Sequence, residues 1–242
     1  MSSLPTVHEI AKTIDHALLK PTLTQQELET GLALAAKYDV FSVCVRPADI
    51  KFAVGYLETT DVQVGTVIGF PHGVNHTETK VFETTQAAKD GATEVDMVLN
   101  IGWVKSGRWD EVCEEIRRIV ETASVNDIEI VKVIFETAYL TEDEIARASK
   151  VTEEAGADFV KTSTGFAGEG ATVPNLQIMR NNVSSEIEVK ASGGVTDLET
   201  LLAMRELGVT RFGTSATKNI LDELAARLAG IDSSTEKYTE KY

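Results

Sequence analysis

Short apolar segments alternate with longer amphipathic segments eight times along this 242-residue chain. The apolar runs are strand-like, and the stretch after each one spaces its apolar residues as a helix does. The predicted strands are residues 13–19, 42–45, 63–70, 94–100, 129–136, 158–164, 186–192 and 211–215. The predicted helices are residues 24–37, 47–57, 77–90, 108–124, 142–154, 173–181, 198–207 and 217–228, and a short amphipathic segment, residues 4–12, precedes the first strand.

Helix-start signals support this division of the chain. Thr24 with Glu27 fits a capping box, as does Thr141 with Glu144, and Asp197 is placed to cap its helix. Alternating strands and helices are typical of βαβ units on a parallel sheet. Eight units within about 250 residues fit an α/β protein of the (β/α)8 TIM barrel class. A doubly wound open sheet is the alternative, because periodicity does not reveal whether a sheet closes.

Composition and charge exclude several classes of partner. The formal net charge of −15 argues against nucleic acid or an anionic membrane as a ligand. No apolar run approaches the length of a membrane span, and no segment resembles a signal peptide. Cys44 and Cys113 match no metal or redox spacing, so a reduced, cytoplasmic protein is expected. Residues 1–232 are predicted to form one domain, and the polar residues 233–242 a flexible tail.

Charged side chains occupy the same parity in four predicted strands. Asp96, Lys132, Lys161 and Lys190 each alternate with apolar neighbours. In a barrel the apolar parity faces the helices, which leaves these four side chains in the lumen. Their late positions in the predicted strands place them toward the C-terminal face, where barrel active sites lie. Charges rarely gather in a core unless they are paired or functional, so a purely structural ion-pair network is the alternative.

Lys161 is the candidate nucleophile. Burial disfavours the charged form of a lysine, and a neutral amine attacks aldehydes and ketones to form a Schiff base. Lowering a lysine pKa from about 10.4 to about 7 requires roughly 4.6 kcal/mol. A second ammonium about 4 Å away supplies about 4 kcal/mol at an effective dielectric constant near 20. A carboxylate touching Lys161 would oppose this shift, so Asp96 is expected beside Lys190 or Lys132 instead.

Seven motifs around these residues resemble deoxyribose-phosphate aldolases in order and spacing, over about residues 8–229. They are Ile14-Asp-His-Ala-Leu-Leu-Lys-Pro21, Val67-Ile-Gly-Phe-Pro-His-Gly73, Glu94-Val-Asp-Met-Val-Leu-Asn100, Lys132-Val-Ile-Phe-Glu-Thr137, Phe159-Val-Lys-Thr-Ser-Thr-Gly165, Lys190-Ala-Ser-Gly-Gly194 and Gly213-Thr-Ser215. Each motif is a weak signal by itself, whereas the ordered set is a strong one.

The resemblance implies a class I aldolase on a TIM barrel that needs no metal or other cofactor. Such enzymes reversibly cleave 2-deoxy-D-ribose 5-phosphate to D-glyceraldehyde 3-phosphate and acetaldehyde. The resemblance makes Lys161 the Schiff-base lysine and Lys190 the lysine that tunes it and takes part in proton transfer. Asp96 matches the carboxylate that moves protons with Lys190, and Lys132 matches a lysine of the family pocket.

Glycine-rich loops form the candidate phosphate site. Loops after strands seven and eight of a barrel, with N–H groups at a helix start, commonly bind phosphate. The predicted substrate and phosphate ligands are Lys132, Thr164, Gly165, Gly193, Gly194, Gly213 and Ser215. The alternative is that the glycines only form tight turns.

Other functions remain open from the residues alone. One is a barrel isomerase that uses a carboxylate base on a phosphosugar, and another is a noncatalytic sugar-phosphate binding protein. A homodimer is also open, because barrels of this kind often dimerise while the sequence marks no interface. His16, His72 and His76 form no zinc pattern. Tyr242, in the predicted tail, is a speculative proton donor at the barrel mouth.

Overall fold

The fold, described here for residues 4–231 of a computed structural model, is a closed barrel. Its eight parallel strands pair in sequence order, and the last pairs with the first to close the ring. The strands are β1 (Ile14–Leu18), β2 (Ser42–Val45), β3 (Gln63–Ile68), β4 (Glu94–Val98), β5 (Ile130–Ile134), β6 (Phe159–Lys161), β7 (Glu188–Ser192) and β8 (Arg211–Thr214). The predicted tail, residues 233–242 with Tyr242, lies outside the described residues.

Ten α-helices surround the strands within the described part of the chain. They are α1 (Val7–Ala11), α2 (Gln25–Tyr38), α3 (Ile50–Leu57), α4 (Thr77–Lys89), α5 (Ile101–Lys105), α6 (Trp109–Ser124), α7 (Glu142–Glu154), α8 (Val173–Asn181), α9 (Leu198–Arg205) and α10 (Thr217–Leu228). Two 3-10 turns, Pro47–Asp49 and Thr137–Tyr139, follow β2 and β5. None of the helices within residues 4–231 is both long enough and apolar enough to span a bilayer.

The barrel prediction is confirmed, and pairing of β1 with β8 excludes the open sheet. Both predicted capping boxes form, and the Asp197 side chain accepts a hydrogen bond from Thr200 N at 2.8 Å. Most strands are shorter than predicted, and the predicted helix 47–57 begins as a 3-10 turn. The prediction missed α5, whose five residues are too few to show a helical period. Asn100, predicted to end the fourth strand, instead caps α5 by accepting a hydrogen bond from Trp103 N at 3.2 Å.

Alternate side chains of each strand face either the layer between the strands and the helices or the lumen of the barrel. Buried apolar residues such as Val95, Val133 and Val189 belong to one continuous cluster that packs the strands against the helices. Val67 and Ile134 are equally buried but lie outside that cluster. They share strand parity with the charged residues and therefore face the lumen. The predicted division into an apolar helix-facing side and a polar lumen is confirmed.

A buried ion pair in the helix layer holds the C-terminal ends of β3 and β4. Lys80 Nζ donates to Glu115 Oε2 and to Val98 O, both at 2.8 Å, and neither charged side chain is exposed. Gly69, which follows β3 with a φ of 62°, packs on the stem of Lys80. A Cβ at residue 69 would lie 2.6 Å from Lys80 Cε, so glycine is required for this close approach. The pair therefore fixes two loops at the C-terminal end of the barrel.

Candidate active site

Seven charged side chains meet in the barrel lumen. They are Asp15, Glu94, Asp96, Lys132, Lys161, Lys190 and Arg211, and none is more than 5% exposed. The convergence of Asp96 with the three lysines was predicted from strand parity. Their predicted height in the barrel is only partly right, because Lys161 ends β6 whereas the other three occupy the middle of their strands. Lys161 is therefore the lysine closest to the C-terminal face.

Asp96 is the centre of this cluster. Its Oδ2 accepts hydrogen bonds from Lys161 Nζ and Lys190 Nζ, both at 2.7 Å, and its Oδ1 accepts one from Lys132 Nζ at 2.9 Å. The expectation that Asp96 would avoid Lys161 is wrong. The expected contacts of Asp96 with Lys190 and Lys132 do form, but an expectation based on one pair of charges does not hold where one carboxylate lies among three cations. The two candidate catalytic amines share a single carboxylate oxygen.

The two amines that share this oxygen have opposite pKa shifts. Burial lowers the pKa of Lys161, and the neighbouring Lys190 ammonium adds to that effect against the opposing charge of Asp96. Burial also acts to lower the pKa of Lys190, but the carboxylates of Asp15 and Asp96 outweigh it and raise that pKa. Lys190 Nζ contacts both carboxylates directly, whereas Lys161 contacts Asp96 alone. The arrangement therefore favours a neutral Lys161 beside a charged Lys190.

The charge balance of the lumen also favours a neutral Lys161. Four of the seven side chains are cations and three are carboxylates. With every group ionised the cluster would carry one excess positive charge in a region shielded from water. A buried net charge is costly, and loss of one proton removes it. Lys161 is the proton donor of choice, because its pKa is lowered whereas those of Lys132, Lys190 and Arg211 are raised.

The lower part of the lumen is an ion-pair layer that the sequence reasoning largely missed. Asp15 contacts Lys190 and accepts from Arg211 NH1 at 2.8 Å. Glu94 accepts from Lys132 Nζ at 2.7 Å and lies 3.3 Å from Arg211 NH1. Glu94 and Arg211 were not among the charged residues predicted to enter the lumen. Both share the lumen parity of their strands, so the same alternation rule could have found them.

Lys132 contacts carboxylates within this layer. Its ammonium is held by Glu94 and Asp96 and is 1% exposed. Its pKa is raised, because these two carboxylates and Asp15 outweigh the effect of burial. A role for Lys132 in binding phosphate stays a prediction.

Glycine backbones meet where the loops after β6 and β7 touch. Gly165, Gly193 and Gly194 all have positive φ values, of 87°, 77° and 79°. A Cβ on Gly170 would lie 2.1 Å from Gly193 O, so the two loops can pack this closely only with glycine there. Ala171 N donates to Gly193 O at 2.9 Å and so ties the loops together. Residues predicted to bind phosphate thus line one small region at the C-terminal end of the barrel.

Gly213 lies inside β8, in agreement with the predicted strand 211–215, and therefore not in the loop after that strand. A Cβ at residue 213 would be 2.9 Å from Ser192 Cβ and 3.3 Å from Lys190 Cε. The absence of a side chain therefore makes room for the Lys190 stem.

The loop after β8 is tied to the loop after β7. Thr214 Oγ1 donates to Val195 O at 2.6 Å and accepts from Ala216 N at 2.9 Å. Ser215 is exposed and lies two residues before Thr217, the first residue of α10. Its place at a helix start is compatible with the predicted phosphate contact.

Other polar residues near the site are neutral. His16 Nδ1 lies 2.9 Å from Thr217 Oγ1, and burial lowers the pKa of His16 to about 4. Burial raises the pKa of the Cys44 thiol to about 11. Among residues 4–231, no group of three or more His, Cys, Asp and Glu side chains is arranged to hold a metal ion.

Comparisons with known proteins agree with this geometry. Residues 10–221 match the DeoC/LacD family of aldolases. The chain is 53% identical over 215 residues to a deoxyribose-phosphate aldolase from Thermoanaerobacter sp. (strain X514), covering 88% of this chain and 96% of the relative. It is 50% identical over 216 residues to deoxyribose-phosphate aldolase 2 from Staphylococcus aureus (strain COL), covering 89% of this chain and 97% of the relative.

A solved structure shares the fold over nearly its whole length. The deoxyribose phosphate aldolase from Aeropyrum pernix, described as having a unique tetrameric structure, superposes with a TM-score of 0.85 at 28% identity. The match covers 93% of this chain and 94% of that one. Family, fold and lumen chemistry agree, and the chain belongs to the DeoC/LacD family of aldolases.

Proposed function

We propose that this aldolase reversibly cleaves 2-deoxy-D-ribose 5-phosphate to D-glyceraldehyde 3-phosphate and acetaldehyde through a Schiff base on Lys161. The names of the relatives support the substrate. The observation that carries the mechanism is the shared Oδ2 of Asp96, which accepts hydrogen bonds from Lys161 and Lys190. One oxygen thereby links the nucleophilic amine to a charged amine that can transfer protons.

The chemistry starts with the neutral Lys161 amine. It adds to the substrate aldehyde carbon to give a carbinolamine, which loses water to form a protonated imine. The bond between carbons 2 and 3 then breaks as the carbon 3 hydroxyl gives up its proton, and the electron pair of that bond forms an enamine. Glyceraldehyde 3-phosphate leaves, carbon 2 of the enamine takes up a proton, and water hydrolyses the resulting imine to release acetaldehyde.

Each of these steps moves a proton, and Asp96 and Lys190 are placed to transfer these protons. Lys190 is held between Asp15 and Asp96, so it can give a proton to one neighbour and recover it through another. The raised pKa of Lys190 keeps it charged while Lys161 is neutral. The small-molecule partners in this proposal are the phosphosugar and acetaldehyde, and the site of action is the cytoplasm.

Trapping of the imine tests the proposal. Borohydride added with acetaldehyde should reduce the imine and leave a two-carbon adduct on the peptide that contains Lys161. Peptide mapping by mass spectrometry locates the adduct. An isomerase with a carboxylate base would leave Lys161 unmodified while it converts substrate, and that result would refute the Schiff-base mechanism.

Lys190→Met should move the pH dependence of the reaction. The free amine of Lys161 is the reactive form, so kcat/KM falls as pH drops through the Lys161 pKa. Removing the Lys190 ammonium takes away a like charge that lowers this pKa, and it leaves Asp96 with one cation fewer. Both changes raise the Lys161 pKa, so the acidic limb of the kcat/KM profile should shift to higher pH. A limb that stays in place, or moves to lower pH, would show that Lys190 does not tune Lys161.

A further inference from the structure

Glu136 is a buried carboxylate in an unusual backbone conformation at the catalytic end of the barrel. It follows β5, its φ and ψ angles are 54° and 66°, and it is 2% exposed. Left-handed backbone is uncommon for residues other than glycine, and such residues concentrate at functional sites when the surrounding structure holds them. The unusual backbone therefore directs attention to what the side chain contacts.

The Glu136 carboxylate binds one residue of the loop after β6. Thr164 N donates to Oε1 and Oε2 at 3.3 and 3.4 Å, and the Thr164 hydroxyl donates to Oε2. Among the described residues, no Lys, Arg or His forms an ion pair with Glu136. Burial raises the pKa of Glu136, and the hydrogen bonds from Thr164, with a smaller effect of the Lys161 charge, only partly oppose that effect. A buried carboxylate without a cation is costly, which argues for a role beyond packing.

Thr164 also connects Glu136 to residues of the loops at the C-terminal end of the barrel. Its hydroxyl accepts a hydrogen bond from Phe166 N at 3.0 Å, and the Phe166 ring packs edge-on against Phe70 with the ring centroids 5.3 Å apart. Phe70 belongs to the loop after β3, so the contacts join loops from three strands. The Thr164 hydroxyl proton is already given to Glu136 and cannot be donated to a substrate at the same time.

The same loop forms one wall of the predicted phosphate site. Gly193 packs so closely on it that a Cβ there would lie 3.5 Å from Gly165 Cα and 2.9 Å from Gly170 Cα. A shift of the loop would therefore displace the glycine backbones that are predicted to bind phosphate. The hydrogen bonds to Glu136 fix the position of Thr164 in this loop.

We propose that Glu136 is a positioning residue that fixes the Thr164–Phe166 segment and thereby sets the affinity for the phosphorylated end of the substrate. Thr164 acts in this arrangement as the link between Glu136 and the loop after β6. The inference rests on the proposed aldolase function. It adds that phosphate recognition depends on a carboxylate that touches neither the phosphate nor the reacting carbons.

Glu136→Gln and Thr164→Val test the proposal, with Thr164→Ser as the matched control that keeps the hydroxyl. A hydrogen bond to a charged group is worth enough for about a tenfold to hundredfold change in binding. We expect Glu136→Gln and Thr164→Val to raise KM for 2-deoxyribose 5-phosphate about tenfold or more, with kcat within about threefold. Cleavage of unphosphorylated 2-deoxyribose should change much less, and Thr164→Ser should resemble the parent.

Two further measurements separate positioning from general damage. The double variant should be no worse than the poorer single variant, because both changes break the same link. Acetaldehyde trapping on Lys161 should persist in every variant, because the amine chemistry lies deeper in the barrel. If Glu136→Gln is recovered unfolded, the comparison of Thr164→Val with Thr164→Ser decides the question.

Equal losses with the phosphorylated and unphosphorylated sugars would overturn the proposal, because they would indicate a purely structural role. So would an unchanged KM for the phosphosugar in Thr164→Val. Failure of the parent protein to trap acetaldehyde would instead refute the proposed Schiff-base mechanism. The two failures are thus distinguishable in the same set of experiments.

Discussion

Lys161→Arg should lower the cleavage rate of 2-deoxyribose 5-phosphate by at least about 10⁴-fold, the scale of loss seen when an enzyme loses its nucleophile. Arginine keeps the positive charge opposite Asp96, so the lumen retains a cation at this position. It does not lose its proton in a protein and therefore offers no free amine to the aldehyde. The measurement is kcat from a coupled assay of glyceraldehyde 3-phosphate, together with borohydride trapping of acetaldehyde.

Lys132→Met is the matched control for this variant. Lys132 is as buried as Lys161 and contacts the same carboxylate, but its pKa is raised and its amine is charged. The two-carbon adduct should remain on Lys161 in Lys132→Met and disappear in Lys161→Arg. Turnover that survives Lys161→Arg would contradict the Schiff-base mechanism and favour the carboxylate-base isomerase.

Alternation along the chain was sufficient to predict the order of strands and helices. Eight strand-helix units appear in the sequence because each strand buries apolar residues against helices that carry their own apolar stripe. Closure could not be read from that pattern, since it depends on β1 pairing with β8 across nearly the whole chain. Strand ends were also beyond reach. β6 was predicted over residues 158–164, yet pairing stops at Lys161 and the hydroxyl residues beyond it turn into the loop.

Parity predicted which side chains enter the lumen, but it did not predict their contacts. The rule gives the face of the sheet on which Asp96 lies, whereas its hydrogen bonds depend on side-chain lengths and on the tilt of four strands. Pairwise reasoning placed Asp96 away from Lys161, and the structure instead places it against both candidate catalytic amines. Glu136 could not have been found in this way, because its role follows from a left-handed backbone that the residue type does not signal.

The position of Asp96 suits it to proton transfer but not to activation of the Lys161 amine. Its charge opposes the lowered pKa of Lys161, so it does not activate the nucleophile. Its oxygen nonetheless joins Lys161 to Lys190, which in the proposed mechanism makes it the route for protons between the imine and Lys190. Activation of the amine then comes from burial and Lys190, and proton transfer comes from Asp96 with Lys190.

Asp96→Asn should therefore uncouple imine formation from turnover. Loss of the carboxylate charge removes the influence that raises the pKa of Lys161, so the amine stays neutral over a wider pH range and still traps acetaldehyde. Proton transfer should fail, and kcat should fall by about 10²- to 10⁴-fold, the usual contribution of general acid–base catalysis. The test maps the acetaldehyde adduct and measures kcat on the same preparation of the variant.

Glu94→Gln is the matched control, since it also removes one buried carboxylate from the lumen. Glu94 contacts Lys132 and Arg211, whereas Asp96 contacts both catalytic amines. Loss of one partner from a buried ion pair costs about 3–5 kcal/mol of stability, so urea denaturation should show both variants weakened to a similar degree. Only Asp96→Asn should combine a persistent adduct with lost turnover, because only Asp96 lies between the amine that holds the substrate and the amine that supplies the protons. Equal loss of kcat in the two variants would show that Asp96 acts only as a structural counter-ion.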